Sequence, residues 1–255
     1  MKKLISLLLT AAMLASFALT GCGSGSTETT TAEGGQTTEE TTQEETSSDD
    51  KKVFVYPADQ DVSNLLPSSG GSDSVAVMYK PLYDPLYIIN NAETRYYLVD
   101  KLEVSDDGLN IKLHFNENAK WHDGEPVTVD DLLFTLKYFT EGATKTSTTY
   151  TKINGEDVVY EKVDDYNVNI TLPSYLSKFV TTLGRLCIYP EHVFNGDVTT
   201  VETSDAAMQG IGNGPFKLKE WNKGEHIIYE KNTDYYRGEA KIDELIMKII
   251  PDSSA

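Results

Sequence analysis

The sequence predicts a mixed α/β fold for residues 53–255, preceded by two segments that lie outside the fold. Two observations support this fold class. Short stretches alternate apolar and polar residues, as strands with one buried face do, and other stretches carry apolar residues at helical spacing. Strand-like and helix-like stretches are interspersed along the chain, and no internal repeat is present.

The first 21 residues are typical of an export signal. A basic start at Lys2–Lys3 precedes the apolar stretch Leu4–Leu19, which is too short for a convincing membrane-spanning helix and suits a secretory signal. The stretch ends in Leu19-Thr20-Gly21-Cys22, which has the pattern of a lipobox. We therefore expect cleavage before Cys22 and lipidation of its thiol, the alternative being an ordinary signal peptide or an anchor helix with a chance cysteine.

Residues 22–52 predict a disordered acidic tether. They are mostly Gly, Ser, Thr, Gln and Glu and contain no aromatic residue, Val, Ile or Leu, so they have little to bury that could offset the entropy lost on folding. The chain carries a net charge of −18. Residues 51–255 by themselves still carry about −12, which argues against a nucleic-acid partner because such a partner needs a basic surface.

The first elements of the folded part are a strand and a short helix. Residues 52–56 alternate and are rich in β-branched residues, which is typical of a strand. Asp73 or Ser74 can cap a helix from about Val75, and Pro81 and Pro85 keep that helix short.

The middle of the folded part is predicted to hold two hairpins around a helix. Strands at 102–104 and 110–115 flank an acidic turn that ends in Gly108, and a second hairpin joins 158–163 to 166–172. Between the hairpins, Thr128 is a candidate N-cap with Asp131 as its capping-box partner.

Apolar residues at helical spacing follow that cap, and a further helix is predicted at 174–183. The last part reads as strands that begin after glycine-containing turns or polar segments. They are expected at 216–221, 227–230 and 245–250.

Several motifs, spaced along the chain in order, resemble the extracellular solute-binding proteins of family 5. The two strongest are Trp121–Asp131 (WHDGEPVTVDD) and Gly212–Trp221 (GNGPFKLKEW). Weaker motifs lie at 82–86, 163–165, 232–236 and 249–252. Together they cover nearly all of residues 53–255.

The resemblance implies a class II periplasmic-binding-protein-like fold, of which this sequence holds the first lobe only, with an inserted subdomain at about 97–195. Members of the family are roughly twice this folded length, so we expect the sequence to stop before the second lobe, either as a fragment or as a truncated gene product. The acidic residue that usually pairs with a peptide's N-terminal amine would belong to that second lobe.

The function implied by the resemblance is that of a monomeric substrate-binding subunit of an ABC importer. It would capture oligopeptides or dipeptides outside the membrane and deliver them to permease subunits with their ATPases, without covalent chemistry or a cofactor. Within the same family, nickel chelates, haem or sugars are alternative ligands. A ligand-sensing receptor lipoprotein is a second alternative, and an envelope hydrolase is the enzymatic one.

The candidate ligand contacts are Gly70, Gly71, Ser72 and Asp73, with Tyr150 as a further candidate. By its position before the 82–86 motif, the 70–73 loop resembles a segment that lines the family's cleft, and its glycines would let a ligand backbone approach closely. A plain connecting loop is the alternative.

Cysteine and histidine usage points away from catalysis and metal binding. Cys187 lies in an apolar stretch and is expected to be a small buried hydrophobe rather than a nucleophile. The four histidines show no metal-ligand spacing, so we predict no metal site. The Trp121–Gly124 segment is expected to be structural, with Trp121 as an apolar anchor.

Overall fold

A computed structural model describes residues 51–67, 73–91, 93–142 and 149–250 of the protein. These residues belong to one compact unit, Ser48–Ala255. The strands are, in chain order, β1 (Val53–Ala58), β2 (Tyr87–Asn90), β3 (Glu93–Tyr96), β4 (Val99–Val104), β5 (Asn110–Phe115), β6 (Lys152–Ile153), β7 (Glu156–Asp157), β8 (Val159–Lys162), β9 (Asn167–Thr171), β10 (Phe216–Asn222), β11 (His226–Lys231) and β12 (Glu244–Ile249). The α-helices are α1 (Asp73–Tyr79), α2 (Val129–Glu141) and α3 (Phe179–Gly184), and short 3-10 helices lie at His192–Phe194 and Asp205–Met208.

Two four-stranded sheets organise the described residues. The first sheet has the order β1-β12-β11-β10, with β1 parallel to β12 and the other neighbours antiparallel. The second sheet has the order β4-β5-β9-β8 and is antiparallel throughout. Two small hairpins, β2-β3 and β6-β7, accompany them. β1 and β12 are neighbours in the first sheet, although they are the first and last strands along the described chain. Almost all other described residues therefore lie between these two strands in the sequence.

Alternation of apolar and polar residues decides which face of each sheet is buried. In β5, Ile111, Leu113 and Phe115 are buried while the residues between them are not, as the sequence predicts. In the first sheet, Tyr229 is buried and donates a hydrogen bond from its hydroxyl to the backbone carbonyl of Met78. This bond ties the core face of the first sheet to α1.

The exposed strand β1 departs from that pattern. Its first four residues, Val53–Tyr56, are all apolar and are 40–53% exposed. Among the described residues, β1 pairs only with β12, so its other edge carries no strand. Edges of this kind are otherwise kept short or charged in soluble proteins. The strand is therefore the part of the first sheet that the described residues cover least.

The N-terminus of α2 is fixed by one buried carboxylate. Thr128 is the N-cap residue, and the Asp131 side chain accepts a hydrogen bond from its backbone N–H at 2.9 Å, as in a capping box. The same carboxylate accepts bonds from Trp121 Nε1 at 3.2 Å and from the Glu191 N–H at 2.9 Å. Asp131 therefore joins three segments of the chain at the start of α2.

The helix predicted at 174–183 begins later than expected. The structure has α3 only at Phe179–Gly184. Upstream, the Ser174 hydroxyl accepts a hydrogen bond from Asn154 Nδ2 at 3.3 Å. The Tyr175 ring lies so close to Gly108 that a Cβ there would be 2.8 Å from it. These tertiary contacts hold residues 174 and 175 outside the helix, so the earlier start was wrong.

No helix in the part of the chain that the structure describes is long and apolar enough to cross a membrane.

Candidate functional site

The predicted contact residues fall partly outside the described residues. Gly70, Gly71 and Ser72 lie there, as does the predicted lipidation site Cys22. Asp73 is the first residue of α1. Tyr150 is half-buried and lies between α2 and the β6-β7 hairpin in the sequence. The structure therefore tests the surroundings of Tyr150 directly.

Tyr150 forms one wall of a small, largely aromatic pocket of about 170 Å³. Its ring stacks on that of Phe139, with centroids 5.6 Å apart and planes 24° apart, and its backbone carbonyl accepts a hydrogen bond from the Tyr160 hydroxyl at 2.6 Å. The lining residues are Pro67, Tyr79, Phe139, Tyr150, Arg185, Leu186, Cys187 and Tyr189. Of the predicted contact residues, Tyr150 is among the residues that line this pocket.

Burial keeps one thiol and two phenols of this pocket neutral. Burial raises the pKa of the Cys187 thiol to about 12, with the nearby Asp84 carboxylate adding to the shift. Burial also raises the pKa of Tyr79 and of Tyr150. At neutral pH these groups keep their protons. A thiolate nucleophile is therefore disfavoured at Cys187, and the two phenols remain hydrogen-bond donors.

Most of this pocket was not predicted from the sequence. Phe139 belongs to the apolar residues that were expected at helical spacing in α2, and Arg185 was not a candidate. Arg185 follows the last residue of α3, and Tyr189 comes four residues later. Neither position has a local sequence signal, because the pocket brings together residues from about 67 to 189 that only the fold makes neighbours.

The Trp121–Gly124 segment holds other loops in place. Trp121 is 2% exposed, and Gly124 adopts φ +99°, a conformation that favours glycine. His122 Nδ1 accepts a hydrogen bond from the Gly212 N–H at 3.1 Å, and its Nε2 lies 3.2 Å from the Gly214 carbonyl oxygen. With Nδ1 accepting, the ring proton sits on Nε2 and is donated to that carbonyl.

The two strongest motifs are therefore bonded to each other through one neutral imidazole. A wider cleft of about 480 Å³ opens beside this contact. It is lined by Glu117, Asn118, Lys120, Trp121, His122, Gly124, Lys217, Asn232 and Asp234.

This arrangement predicts an acid-sensitive contact at His122. Burial lowers the pKa of His122 to about 4, whereas an unfolded chain has a histidine pKa near 6.5. The unfolded state therefore binds the proton first. The contribution of His122 to the free energy of unfolding is fully present above about pH 6.5. It is lost as the pH falls through 4, by an amount on the order of 3 kcal/mol.

Urea unfolding across that pH range measures the effect. His122→Gln should remove this part of the pH dependence, and the control His114→Gln, in the second sheet, should retain it. If the free energy of unfolding depends on pH equally in His122→Gln and in the unchanged protein, His122 is not the group responsible.

A second group of contacts joins the 82–86 motif to the Gly212–Trp221 and 232–236 motifs. The backbone carbonyl of Leu82 accepts hydrogen bonds from the N–H groups of Asn213 and Gly214, at 2.9 and 2.8 Å. The buried Asp84 carboxylate accepts hydrogen bonds from the hydroxyls of Tyr235 and Tyr236, at 2.6 and 2.8 Å. Segments that are 131–152 residues apart in the sequence thus meet. These motifs are explained by packing and hydrogen bonding within the fold.

Within the described ranges, no group of three or more His, Cys, Asp or Glu residues is placed to hold a metal ion. Histidine–carboxylate pairs do occur there, at His114 Nδ1 with Asp100 Oδ1, 2.7 Å apart, and at His192 Nε2 with Asp123 Oδ2, 2.9 Å apart.

Comparison with known proteins identifies the fold. The sequence profile described as bacterial extracellular solute-binding proteins, family 5 Middle, matches residues 93–255. The oligopeptide-binding protein AppA of Bacillus subtilis is 30% identical over 214 residues, which are 74% of this chain and 39% of that protein.

Solved structures of substrate-binding proteins have the same fold. The ABC transporter substrate-binding protein CtaP of Listeria monocytogenes superposes with a TM-score of 0.72 at 27% identity, covering 80% of this chain and 41% of that one. The structure of AppA from Bacillus subtilis in complex with a nonapeptide gives a TM-score of 0.65 at 27% identity, covering 79% and 41%. The predicted fold class is confirmed, and the chain spans about two-fifths of the length of these relatives.

Proposed function

We propose, because the chain belongs to the bacterial extracellular solute-binding proteins of family 5, that it captures peptides outside the membrane and delivers them to an ABC permease. Membership of a family of substrate-binding proteins makes this a binding role rather than an enzymatic one. Its relatives include an oligopeptide-binding protein and a structure in complex with a nonapeptide. An extracytoplasmic location follows from the same family.

The observation that supports peptide capture is the aromatic pocket at Tyr150. An extended peptide satisfies its backbone against strand edges or exposed loop amides and places alternate side chains in pockets. The pocket is about 170 Å³, which is smaller than the roughly 300–1,000 Å³ that encloses a whole small ligand. Its size therefore suits one side chain of a larger ligand. In this proposal, a second lobe closes over the peptide by a hinge motion that binding favours.

A ligand panel tests the proposal. The protein expressed from its complete gene, with the export signal removed, is titrated with mixed dipeptides and pentapeptides, with nickel–histidine and with simple sugars. We expect peptides to raise the melting temperature, because a ligand that binds only the folded state stabilises it. Stabilisation by nickel–histidine or a sugar alone would favour those alternatives instead.

Deletion of the permease separates import from sensing. If the protein serves import, uptake of labelled peptide is lost in the deletion strain, and no response to the peptide remains. If it is a ligand-sensing receptor, the cellular response to the peptide persists without the permease. Persistence of that response would contradict the import role.

We also propose that the mature protein is attached to the cell membrane through a lipid on Cys22. The support is the lipobox pattern Leu19–Cys22 at the end of the apolar leader. Residues 22–52 would then act as an extended acidic spacer between lipid and fold.

Replacing the proposed lipidation site gives a direct prediction. Cys22→Ser should move the protein from the membrane fraction to the soluble fraction and abolish labelling by a palmitate analogue, because residue 22 no longer has a thiol to carry the diacylglycerol. Cys187→Ser, which leaves Cys22 in place, is the control and should stay in the membrane fraction. Unchanged membrane association of Cys22→Ser would overturn the anchor.

A further inference from the structure

The aromatic pocket at Tyr150 contains one charged side chain, Arg185. Arg185 is exposed, and across the described ranges its guanidinium has neither an ion pair nor a hydrogen bond. Arg237 differs, since its guanidinium lies 4.2 Å from the centre of the Tyr97 ring and donates to the Tyr235 hydroxyl. Among the described residues that line the pocket, none is acidic. The guanidinium is therefore available to an anion from outside the chain.

The other polar side chains in this pocket include further donors. The hydroxyls of Tyr79 and Tyr150 donate no hydrogen bond to any group in the described part of the chain, and burial raises the pKa of both, so they keep their protons. A carboxylate only accepts hydrogen bonds, and guanidinium and hydroxyl groups are suited to receive it. The described lining of the pocket thus offers several donors, one of them cationic, and no carboxylate.

The backbone on both sides of Arg185 is held firmly. A Cβ on Gly184 would lie 2.4 Å from the Tyr87 ring, so that glycine is packed directly against it. On the other side, Cys187 forms a β-bridge with Pro85, and the Leu86 N–H donates to the Leu186 carbonyl at 3.0 Å. A guanidinium on a fixed backbone loses less freedom when it binds, which favours selectivity.

We propose that Arg185 makes this pocket selective for a carboxylate carried by the bound peptide, either a glutamate side chain or the peptide's terminal carboxylate. This inference rests on the proposed peptide-binding function and names the ligand group that the pocket prefers. The aromatic walls contact the apolar part of the residue, and the guanidinium pairs with its charge. Since the chain as a whole is strongly acidic, with a net charge of −18, a local cation is what allows an anionic group to bind.

Matched peptides test the inference by calorimetric titration. The peptides are alanine-based pentapeptides with one glutamate at each position in turn, their glutamine counterparts, and each of these as the free acid and the C-terminal amide. Proteins compared are the unchanged protein, Arg185→Gln and the control Arg95→Gln, all expressed from the complete gene. Arg95 is exposed in β3, and its replacement by glutamine removes the same charge at a position outside the pocket lining.

For the unchanged protein, we expect one of two preferences. Either the peptide with glutamate at one position binds about tenfold more tightly than its glutamine counterpart, or the free acid binds about tenfold more tightly than the amide, as a charge-assisted hydrogen bond provides. Preference for glutamate identifies the side chain, and preference for the acid identifies the terminus. Arg185→Gln should abolish the preference, so that the acidic peptide and its neutral partner bind with equal affinity, and Arg95→Gln should keep it.

The remaining outcomes overturn the inference. Binding of neutral and acidic peptides with equal affinity by the unchanged protein overturns it while leaving the proposed function intact. A preference for the acidic peptide that persists in Arg185→Gln also overturns the inference and leaves the proposed function intact. If no peptide of the series binds to any of the three proteins, the peptide-binding function fails and this inference fails with it.

Discussion

Gly212→Ala is expected to lower the free energy of unfolding by at least about 3 kcal/mol, the largest effect that we predict for a single methyl group. A Cβ at this position would lie 1.9 Å from the backbone carbonyl oxygen of Leu82 and 2.7 Å from its carbonyl carbon. Backbone atoms cannot move aside as a side chain can. The same carbonyl also accepts hydrogen bonds from Asn213 and Gly214, so any shift breaks them as well.

The control for this variant is Gly224→Ala. Gly224 lies in the turn between β10 and β11 with φ +80°, and no atom is within 4 Å of a Cβ there. Only the cost of the left-handed backbone, about 1–2 kcal/mol, is expected. Chemical unfolding of both variants separates the steric clash from this backbone term. Equal losses of stability would show that Gly212 does not pack against Leu82 as described.

Asp131→Ala is expected to cost about 3–5 kcal/mol, because it removes a buried carboxylate that serves three donors at once. The N–H groups of Thr128 and Glu191 and the Trp121 indole would each lose their acceptor. Loss of a negative charge in the first turn of α2 adds a smaller term from the helix dipole. Urea unfolding followed by tryptophan fluorescence measures the effect, since Trp121 reports on the same contact.

Asp130→Ala is the matched control for that variant. Asp130 is the neighbouring residue, lies in the same first turn of α2 and forms an ion pair with Lys162 at 2.7 Å, with its side chain 55% exposed. Exposed pairs contribute about 0–1 kcal/mol. A loss for Asp130→Ala as large as that for Asp131→Ala would mean that charge in the first turn, rather than the buried hydrogen bonds, carries the stability.

Local signals allowed much of the fold to be predicted from the sequence. The start of α2 was correct because Thr128 and Asp131 are a capping pair three residues apart, followed by an apolar stripe. The hairpin of β8 and β9 was correct because alternation and the Asp164-Asp165 turn are both local. The β2-β3 and β6-β7 hairpins were missed. Their strands have four and two residues, which is too short for alternation to be distinctive.

Long-range contacts account for what the sequence could not show. The bond between His122 and the Gly212–Gly214 loop joins residues about 90 positions apart, and nothing in either motif indicates that the two meet. The same reason applies to Arg185, which becomes a candidate only because its neighbours in the pocket come from distant segments. Tyr150 was a further candidate from the sequence, and its contact with ligand remains a prediction.

Native mass spectrometry of the protein purified from its own host tests peptide capture most directly. We expect a fraction of the protein to carry bound species that are released by denaturation and fragment as short peptides. Binding of such peptides should then be recovered when they are added back to the stripped protein. A protein that carries only a metal chelate or a sugar, or that neither retains nor rebinds any peptide, would contradict the account.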